Sequence, residues 1–185
     1  MELKRTIKNC IKGDKKAQKL LYEQSKGAVM GICMRYCQAK MEAEDVFQES
    51  MVKIFHQLKD LREPQAYWGW MRQLVVRSCI SHFRKNNPML AYTDVPLEKE
   101  NNAYSAILGS LELEALLIVI NRLPSGYKVI FNLYEVEGYK HQEIAELLNI
   151  SEGTSKSQLS KAKKMLATML VEQNMYHHNR IANGE

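Results

Sequence analysis

Apolar residues recur at helical spacing along nearly all of this 185-residue chain, and this periodicity limits the fold more than any other feature. Phe47, Met51, Ile54 and Leu58, for example, fall at i, i+4, i+7 and i+11, on one face of a helix. β-branched residues occur, but they do not form the sustained alternation of apolar and polar positions that a half-buried strand requires. The sequence therefore predicts an all-α protein.

The longest stretch without helical periodicity is residues 87–110, and this stretch divides the chain. It contains two prolines, several asparagines and some acidic residues, a composition typical of a flexible linker. We therefore predict two small helical domains, at residues 1–86 and 111–170, followed by a polar tail at 171–185. The predicted helices cover residues 4–11, 17–37, 42–58, 66–85, 111–123, 128–135 and 143–148, with a last helix beginning after Ser151.

Charge is distributed unevenly along the chain. The net charge is +5, and residues 1–86 contain 17 Lys and Arg against 9 Asp and Glu. A basic first half suits a polyanionic partner, although lysine-rich solvated faces are also common. No apolar run approaches the roughly 18 residues of a membrane span, and the N-terminus lacks the apolar core of a signal peptide. We therefore expect a cytoplasmic protein that does not insert into a membrane.

The four cysteines, Cys10, Cys33, Cys37 and Cys79, form no CxxC pair. Cys33 and Cys37 are four residues apart on one helix face and could begin a metal site, but no further ligand pair follows at zinc-like spacing. Small buried core residues are therefore the better interpretation. We expect no metal, no cofactor and no enzymatic activity, because the sequence contains no phosphate-binding loop or nucleophile–base pairing.

Residues 143–166 have the pattern of two short helices joined by a tight turn. Asn149 and Ile150 make the turn, Ser151 is a natural N-cap for the second helix, and residues 156–164 carry four lysines and no acid. This arrangement indicates a helix-turn-helix, whose second helix can enter the DNA major groove. Lysine can donate to guanine, glutamine can pair with adenine, and lysines neutralise phosphates. A solvated surface helix is the alternative interpretation of the motif alone.

A longer stretch, LPSGYKVIFNLYEVEGYKHQEIAELLNISEGTSKSQLSKAKKML, closely resembles the promoter −35 reading domain of bacterial sigma factors of the extracytoplasmic-function (ECF) class. The shared marks are Leu123-Pro124, Glu137-Gly138, Glu143-Ile144-Ala145, Gly153-Thr154, Lys156-Ser157 and Ala162. The resemblance implies that this domain contacts −35 duplex DNA through Lys140, Thr154, Lys156, Ser157, Gln158, Lys161 and Lys164.

Some positions depart from the family pattern. The family usually has Val at Ser155, and a hydroxyl on that core stripe needs a partner, such as a carbonyl one turn back. It favours a Ser cap at Lys140, so its absence should cost this helix on the order of 1 kcal/mol. It usually has Arg at Gln158, Lys161 and Lys163, and lysine lacks the guanidinium fork that grips guanine. We therefore expect −35 contacts that are weaker, or tuned to a different sequence.

The segment EDVFQESMVKIFHQL, at residues 44–58, resembles the most recognisable helix of the same family. Its polar side lies opposite the apolar stripe, and acidic and amide groups there could pair with basic residues of a partner. Taken alone, the pattern also fits a solvated face with ordinary i,i+4 pairs. The resemblance implies that this face docks on the clamp helices of the RNA polymerase β′ subunit through Asp45, Gln48, Glu49 and Lys53.

The next segment, LREPQAYWGWMRQLVVRSCISHFRKN, combines basic side chains with the aromatic residues Tyr67, Trp68 and Trp70. That combination suits single-stranded DNA, because cations follow the backbone while rings or pockets hold unstacked bases. The resemblance implies that the segment opens the −10 element and captures a flipped base, with the loop at residues 61–65 shaping the pocket. Core packing is the alternative role for Trp70, and His82, where the family often has Asp, leaves the −10 preference open. The residues expected at this DNA are Arg62, Tyr67, Trp68, Gln73, Arg77, Ser78, Ser81, Arg84 and Lys85.

The resemblance covers residues 1 to about 170 and implies a sigma factor. Its expected partners are core RNA polymerase, through the β′ clamp and the β flap, promoter DNA, and an anti-sigma factor. Two alternatives belong to other classes of protein. One is a stand-alone helix-turn-helix regulator that does not dock on polymerase, and the other is a helical interaction module that does not bind DNA.

Overall fold

The computed structural model describes residues 2–87 and 118–182, with side chains as far as residue 171. Within these ranges every regular element is helical, which confirms the predicted all-α class. The chain divides into two compact units, Met1–Asn86 and Asn87–Glu185, hereafter unit 1 and unit 2. The predicted linker and most of the predicted helix at 111–123 lie outside the described residues.

Unit 1 contains four helices whose ends differ from the predicted ones by no more than two residues. Two short 3₁₀ helices, Leu58–Asp60 and Pro64–Ala66, lie between the third helix and the fourth. The second helix is the centre of the unit, because it packs against each of the other three. The four helices are α1 (Glu2–Ile11), α2 (Lys15–Tyr36), α3 (Lys40–Gln57) and α4 (Tyr67–Asn86).

Side-chain carboxylates satisfy the free backbone amides where α2 and α3 begin. Asp14 accepts from the amides of Lys16 and Ala17 at 2.8 and 3.2 Å, so it is the N-cap of α2. Before α3, Glu42 reaches back to the amides of residues 38 and 39 at 3.0 and 3.4 Å. Gly13 makes the corner between α1 and α2 with a φ of 85°, a conformation that glycine adopts without steric cost.

The start of α4 is fixed by a buried hydrogen bond. The Tyr67 side chain is fully buried, and its hydroxyl lies 2.7 Å from the Ser25 hydroxyl of α2. The prediction that Tyr67 faces DNA is therefore wrong, because its ring belongs to the core and its hydroxyl has an internal partner. The adjacent Trp68, which contacts Tyr67 edge-to-face, is 42% exposed.

All four cysteines are free and buried, which confirms their interpretation as core residues. The Cys79 thiol of α4 donates a hydrogen bond to Cys33 of α2. This bond, together with burial, raises the pKa of Cys79. The same bond lowers the pKa of Cys33, because it outweighs burial, which acts in the opposite direction. Among the described residues, no group of three or more His, Cys, Asp or Glu side chains could hold a metal ion.

Unit 2 differs from the prediction at its first complete helix. A single helix was expected at residues 128–135, but α5 (Ser125–Phe131) passes into a π-helical turn at Asn132–Val136. The Asn132 side chain donates to the Lys128 carbonyl at 2.9 Å, and the amide of Glu137 bonds to the carbonyl five residues back, also at 2.9 Å. The second bond is of the i→i−5 type and widens the turn, whereas the Asn132 side chain shares the Lys128 carbonyl with its own backbone amide.

The predicted helix-turn-helix is present in unit 2 as α6 (His141–Leu148) and α7 (Glu152–Ala182). Asn149 turns the chain between the two helices with a φ of 55°, and Ser151 accepts from the amide of Thr154 at 2.9 Å, which confirms it as the N-cap of α7. α7 packs against both α5 and α6. It continues as a helix well past residue 170, where the domain was expected to end.

Lys140 does not cap α6 with its side chain, as expected from its departure from the family pattern. The Glu143 carboxylate instead accepts from the Lys140 amide at 2.7 Å, which is one half of a capping box. This bond satisfies the Lys140 amide, but it does not replace the bond that a serine side chain would accept from the first turn of α6. In the part of the chain that the structure describes, no helix is both long and apolar enough to cross a membrane.

We expect Tyr67→Phe to lower the free energy of opening of α2 and α4 by about 1–2 kcal/mol, because Ser25 would lose its buried partner. Hydrogen exchange of the amides in these helices would measure the change. Tyr22→Phe is the matched control, because Tyr22 is partly exposed at 36%, and should change the same amides by less than about 0.5 kcal/mol. Equal effects of the two substitutions would contradict the role assigned to the Tyr67 hydroxyl.

Glu42→Gln tests the start of α3. Burial alone would raise the pKa of Glu42, but the two backbone donors and nearby His82 outweigh it and hold the pKa below its usual range. A lowered pKa stabilises the fold above the unfolded-state pKa, and this stabilisation is lost as the pH falls through the folded value.

We therefore expect Glu42→Gln to cost about 0.5–1 kcal/mol at neutral pH, a discounted value because the side chain is 38% exposed. The difference from the unsubstituted protein should shrink as the pH falls below about 4. Urea unfolding at both pH values would measure it. A cost that does not depend on pH would contradict the capping role of the carboxylate.

Candidate functional site

The outward face of α3 carries three of the four residues predicted to dock on polymerase. Asp45, Gln48 and Glu49 are exposed and share one side of the helix at i, i+3 and i+4. Val46 and Ile54 are fully buried on the opposite side. The inward anchoring of α3 therefore holds the three polar side chains towards solvent.

Lys53, the fourth predicted docking residue, points towards α4. Its ammonium group lies 2.6 Å from Glu49 and donates to the Ser78 hydroxyl at 3.3 Å. Ser78, a predicted −10 contact, is only 3% exposed and therefore does not lie on the exposed outer side of α4. The reason is its register, since Met71, Val75 and Ser78 all lie on the inner face of α4.

A groove of about 300 Å³ lies between α3 and α4. Cationic groups and amides occur together on its walls with the Trp70 indole, which is half-buried. Such a mixture can hold a phosphate beside a nucleobase, since cations attract the backbone and a ring offers a stacking surface. Gln57 was not predicted, because its place here depends on how α3 packs on α4 and not on its own helix. The lining residues are Lys53, Gln57, Trp70, Gln73, Leu74, Arg77 and Ser78.

The predicted polar stripe on α4 lies where the sequence placed it. Gln73, Arg77, Ser81 and Arg84 are all exposed. Because they follow each other at i, i+4, i+8 and i+11, they form a line along the outer side of the helix. Three more residues of the predicted −10 set are also exposed: Arg62, Trp68 and Lys85.

On α7, lysines account for the exposed part of the predicted −35 set. Lys156 and Lys164 are exposed, Lys161 is half-buried, and Lys140 is exposed just before α6. Lys156 also pairs with Glu152 at 2.7 Å, one turn earlier. The hydrogen bond from Lys156 and the positive charge of its ammonium group lower the pKa of the Glu152 carboxyl.

Thr154, Ser157 and Gln158 were predicted to contact −35 DNA, and the structure contradicts this part of the set because all three side chains are buried. Thr154 lies 2.9 Å from the Ser151 hydroxyl, and Ser157 donates to the Thr154 carbonyl at 3.1 Å. Gln158 is 7% exposed, and its Oε1 has no hydrogen-bond partner among the described residues. Packing of α7 against both α5 and α6 covers more of its first turns than a one-sided amphipathic pattern predicts.

The buried Ser155 hydroxyl has a side-chain partner. His141 Nδ1 lies 2.9 Å from Ser155 Oγ, so the partner is an imidazole of α6 and not the carbonyl expected one turn back. The His141 ring also stacks on Tyr134, with ring centres 4.5 Å apart and 23° between the planes. This contact joins the π-helical turn, the start of α6 and the first turn of α7.

Lys163 is held against the same turn. Its ammonium group lies 3.0 Å from Glu135 and 5.9 Å from the centre of the Tyr134 ring. Lys163 thus forms this pair at a position where the ECF family usually has an arginine. The geometry as a whole defines a two-unit helical protein with a basic helix-turn-helix in unit 2, and with an exposed acidic and amide face beside a cationic groove in unit 1.

Comparisons with known proteins agree with this class. The model of Sigma-70 region 2 matches residues 21–88, and that of Sigma-70, region 4 matches residues 113–166. The chain is 27% identical over 173 residues to the ECF RNA polymerase sigma-E factor of Haemophilus influenzae, covering 86% of this chain and 90% of that protein. It is 26% identical over 144 residues to the RNA polymerase sigma factor SigV of Bacillus subtilis, covering 78% and 85%.

Among solved structures, the chain is similar to CnrH in its complex with the cytosolic domain of CnrY, with a TM-score of 0.47 and 17% identity. That similarity covers 90% of this chain and 96% of the other. On the sequence matches, the chain belongs to the sigma-70 family of RNA polymerase sigma factors, in its ECF class.

We expect Ser155 and His141 to be energetically coupled by about 0.5–1.5 kcal/mol, as is usual for a hydrogen bond of this kind. A double-mutant cycle with Ser155→Ala, His141→Phe and the double substitution measures this coupling. Phenylalanine is chosen because it keeps a ring against Tyr134 but lacks Nδ1. Hydrogen exchange of the α6 and α7 amides gives the free energies. Costs that add within about 0.3 kcal/mol would contradict the coupling.

Proposed function

We propose that this chain binds core RNA polymerase and directs it to promoters, with unit 2 reading −35 duplex and unit 1 opening the −10 element. The observation that carries this function is the presence of regions 2 and 4 in one chain. A stand-alone regulator would need only the helix-turn-helix, so the region 2 match and the exposed face of α3 count against that alternative.

Docking on the β′ clamp is assigned to Asp45, Gln48 and Glu49. Three polar side chains on one exposed side of a rigid helix can pair with basic residues of a partner, which favours fast association and fixes the orientation of the complex. Lys53 is better placed to support the groove between α3 and α4, because it already bridges Glu49 and Ser78. A second contact, with the β flap, is assigned to unit 2.

Strand opening at the −10 element is assigned to the groove, the outer stripe of α4 and the loop around Arg62. Removing a base from the duplex stack costs a few kcal/mol, and stacking it on an aromatic ring returns about 1–3 kcal/mol. Trp68 is exposed enough to provide such a surface, while Gln73 and Arg77 lie at both the groove and the exposed stripe. Arg84 and Lys85 extend the cationic line for the backbone.

Recognition of −35 DNA is assigned to Lys140, Lys156, Lys161 and Lys164. These side chains can donate to guanine acceptors or neutralise phosphates. Lys156 would break its ion pair with Glu152 and contact DNA instead when the complex forms. Because both units are tethered to one polymerase, the effective concentration of each is raised and modest individual contacts suffice.

Sigma factors are DNA-binding initiation factors and not enzymes in the usual sense, and we infer the same for this chain. The site of action would be the cytoplasm, where polymerase transcribes. Membership of the ECF class implies regulation by an anti-sigma factor.

Run-off transcription with core polymerase and sheared genomic DNA of the source organism tests the function. We expect discrete start sites that require this protein. Asp45→Ala with Gln48→Ala should weaken the affinity for core polymerase by about tenfold or more, because truncated interface hot spots cost about 1–2 kcal/mol each. Core binding and transcript yield should fall together.

The matched control is Glu23→Ala with Gln24→Ala, which removes one carboxylate and one amide from the exposed side of α2. It should change core affinity by less than about twofold, as expected of surface positions. The absence of new start sites, together with no co-elution of the protein with core polymerase, would overturn the proposed function.

A further inference from the structure

Seven cations in the first 19 residues have no role in the proposed function. They lie on α1, on the corner that follows it and on the first turns of α2, and all seven side chains are exposed. Only two acids, Glu2 and Asp14, occur in the same stretch. We refer to this set as the N-terminal basic cluster: Lys4, Arg5, Lys8, Lys12, Lys15, Lys16 and Lys19.

The charge of the N-terminal basic cluster is not neutralised within the described residues, where none of its members forms an ion pair. Asp14, the acid between the two helices, is directed to the backbone amides that it caps. Other lysines of unit 1 are paired on their own helices, as Lys26 is with Glu23 at 2.6 Å and Lys40 with Glu44 at 3.6 Å. The cluster is therefore a concentrated source of positive potential.

The geometry favours a polyanion over a lipid surface. A basic amphipathic helix binds membranes by burying its apolar face in the headgroup region, but the apolar face of α1 is already used, since Ile7 and Cys10 are 1% and 5% exposed. The backbone that carries the cations is also fixed at the corner between α1 and α2, because the amides of Gly13 and Asp14 bond back to α1 at 3.0 and 3.1 Å. α1 has 10 residues, which is about 15 Å and matches roughly four base-pair steps of duplex DNA.

The position of α1 links the cluster to the proposed −10 site. α1 packs against both 3₁₀ helices, Leu58–Asp60 and Pro64–Ala66, which flank the loop containing Arg62. That loop is where the proposed function places the opening −10 element. The cluster is thus next to the DNA that unit 1 would hold.

We propose that the N-terminal basic cluster binds the phosphates of the duplex that flanks the −10 element. The proposal rests on the proposed function for the location of the DNA, but not for the binding itself. Each phosphate that a lysine neutralises releases condensed counterions, so the slope of log affinity against log salt should contain about 0.9 for each such contact.

The test compares two variants with equal loss of charge in full-length protein. Lys15→Gln with Lys19→Gln removes two cations of the cluster, and Lys26→Gln with Lys40→Gln removes two ion-paired cations elsewhere in unit 1. Glutamine keeps much of the side-chain length and has a helix propensity close to that of lysine. Binding of the free protein to duplex DNA of arbitrary sequence is measured between roughly 50 and 200 mM salt.

We expect the cluster variant to lower the salt slope by about 1–2, so that its affinity falls about tenfold less across this range than that of the unsubstituted protein. The control variant should leave the slope within about 0.5 of the unsubstituted value. An unchanged slope, or an equal decrease for both variants, would overturn the proposal. Cluster-dependent binding to phosphatidylserine vesicles with an unchanged DNA slope would overturn it in favour of a membrane.

The same variants in the holoenzyme separate this proposal from the proposed function. On a promoter fragment, the cluster variant should weaken binding and reduce the slope while its start sites and core affinity stay unchanged. Normal start sites with an unchanged salt slope would overturn the proposal that the N-terminal basic cluster binds DNA, and would leave the proposed function intact. A lower salt slope for the free protein, without any promoter-specific start site, would overturn the proposed function and the placement of the cluster beside the −10 element. The cluster would then remain a binding site for duplex phosphates.

Discussion

The buried hydrogen bond between Tyr67 and Ser25 sets the rotation of α4, and the surfaces of unit 1 depend on that rotation. With Tyr67 turned inwards, Met71 and Val75, one and two turns further along the same face, are also in the core. Gln73 and Arg77 are then held outwards, and the flank of α4 that meets α3 forms the cationic groove. One hydrogen bond, between two residues that are 42 positions apart in the sequence, therefore fixes which side chains of α4 face solvent.

Unit 2 compensates for its departures from the family pattern with side chains close to them. Glu143 accepts from the Lys140 amide, which is the half of the capping box that does not need a serine, and His141 partners the hydroxyl that stands in place of valine. Lys163, which replaces an arginine, is held by Glu135. His141 belongs to α6 and Glu135 to the π-helical turn, so the residues that depart from the family pattern on α7 contact both neighbouring elements. The substitutions do not act only on the surface that faces DNA.

Much of the fold could be predicted from the sequence, because apolar periodicity and capping residues are local signals. The helices of unit 1 were placed within two residues, and Ser151 was identified as a cap. The π-helical turn was missed, since a backbone amide that bonds five residues back instead of four leaves no mark in the apolar periodicity. Thr154, Ser157 and Gln158 were predicted to contact DNA but are buried, because α7 packs on two helices and a one-sided pattern assumes a single neighbour. Ser78 and Gln57 could be placed only once the packing of α3 on α4 was known.

Both tryptophans of the chain, Trp68 and Trp70, lie in α4. The intrinsic fluorescence of the free protein therefore originates in unit 1, at the exposed ring beside Tyr67 and at the indole in the groove. Unit 2 contributes only tyrosine emission. A base that stacks on Trp68 would quench one of two emitters, so the protein contains its own optical reporter of DNA opening, and no label is needed on either partner.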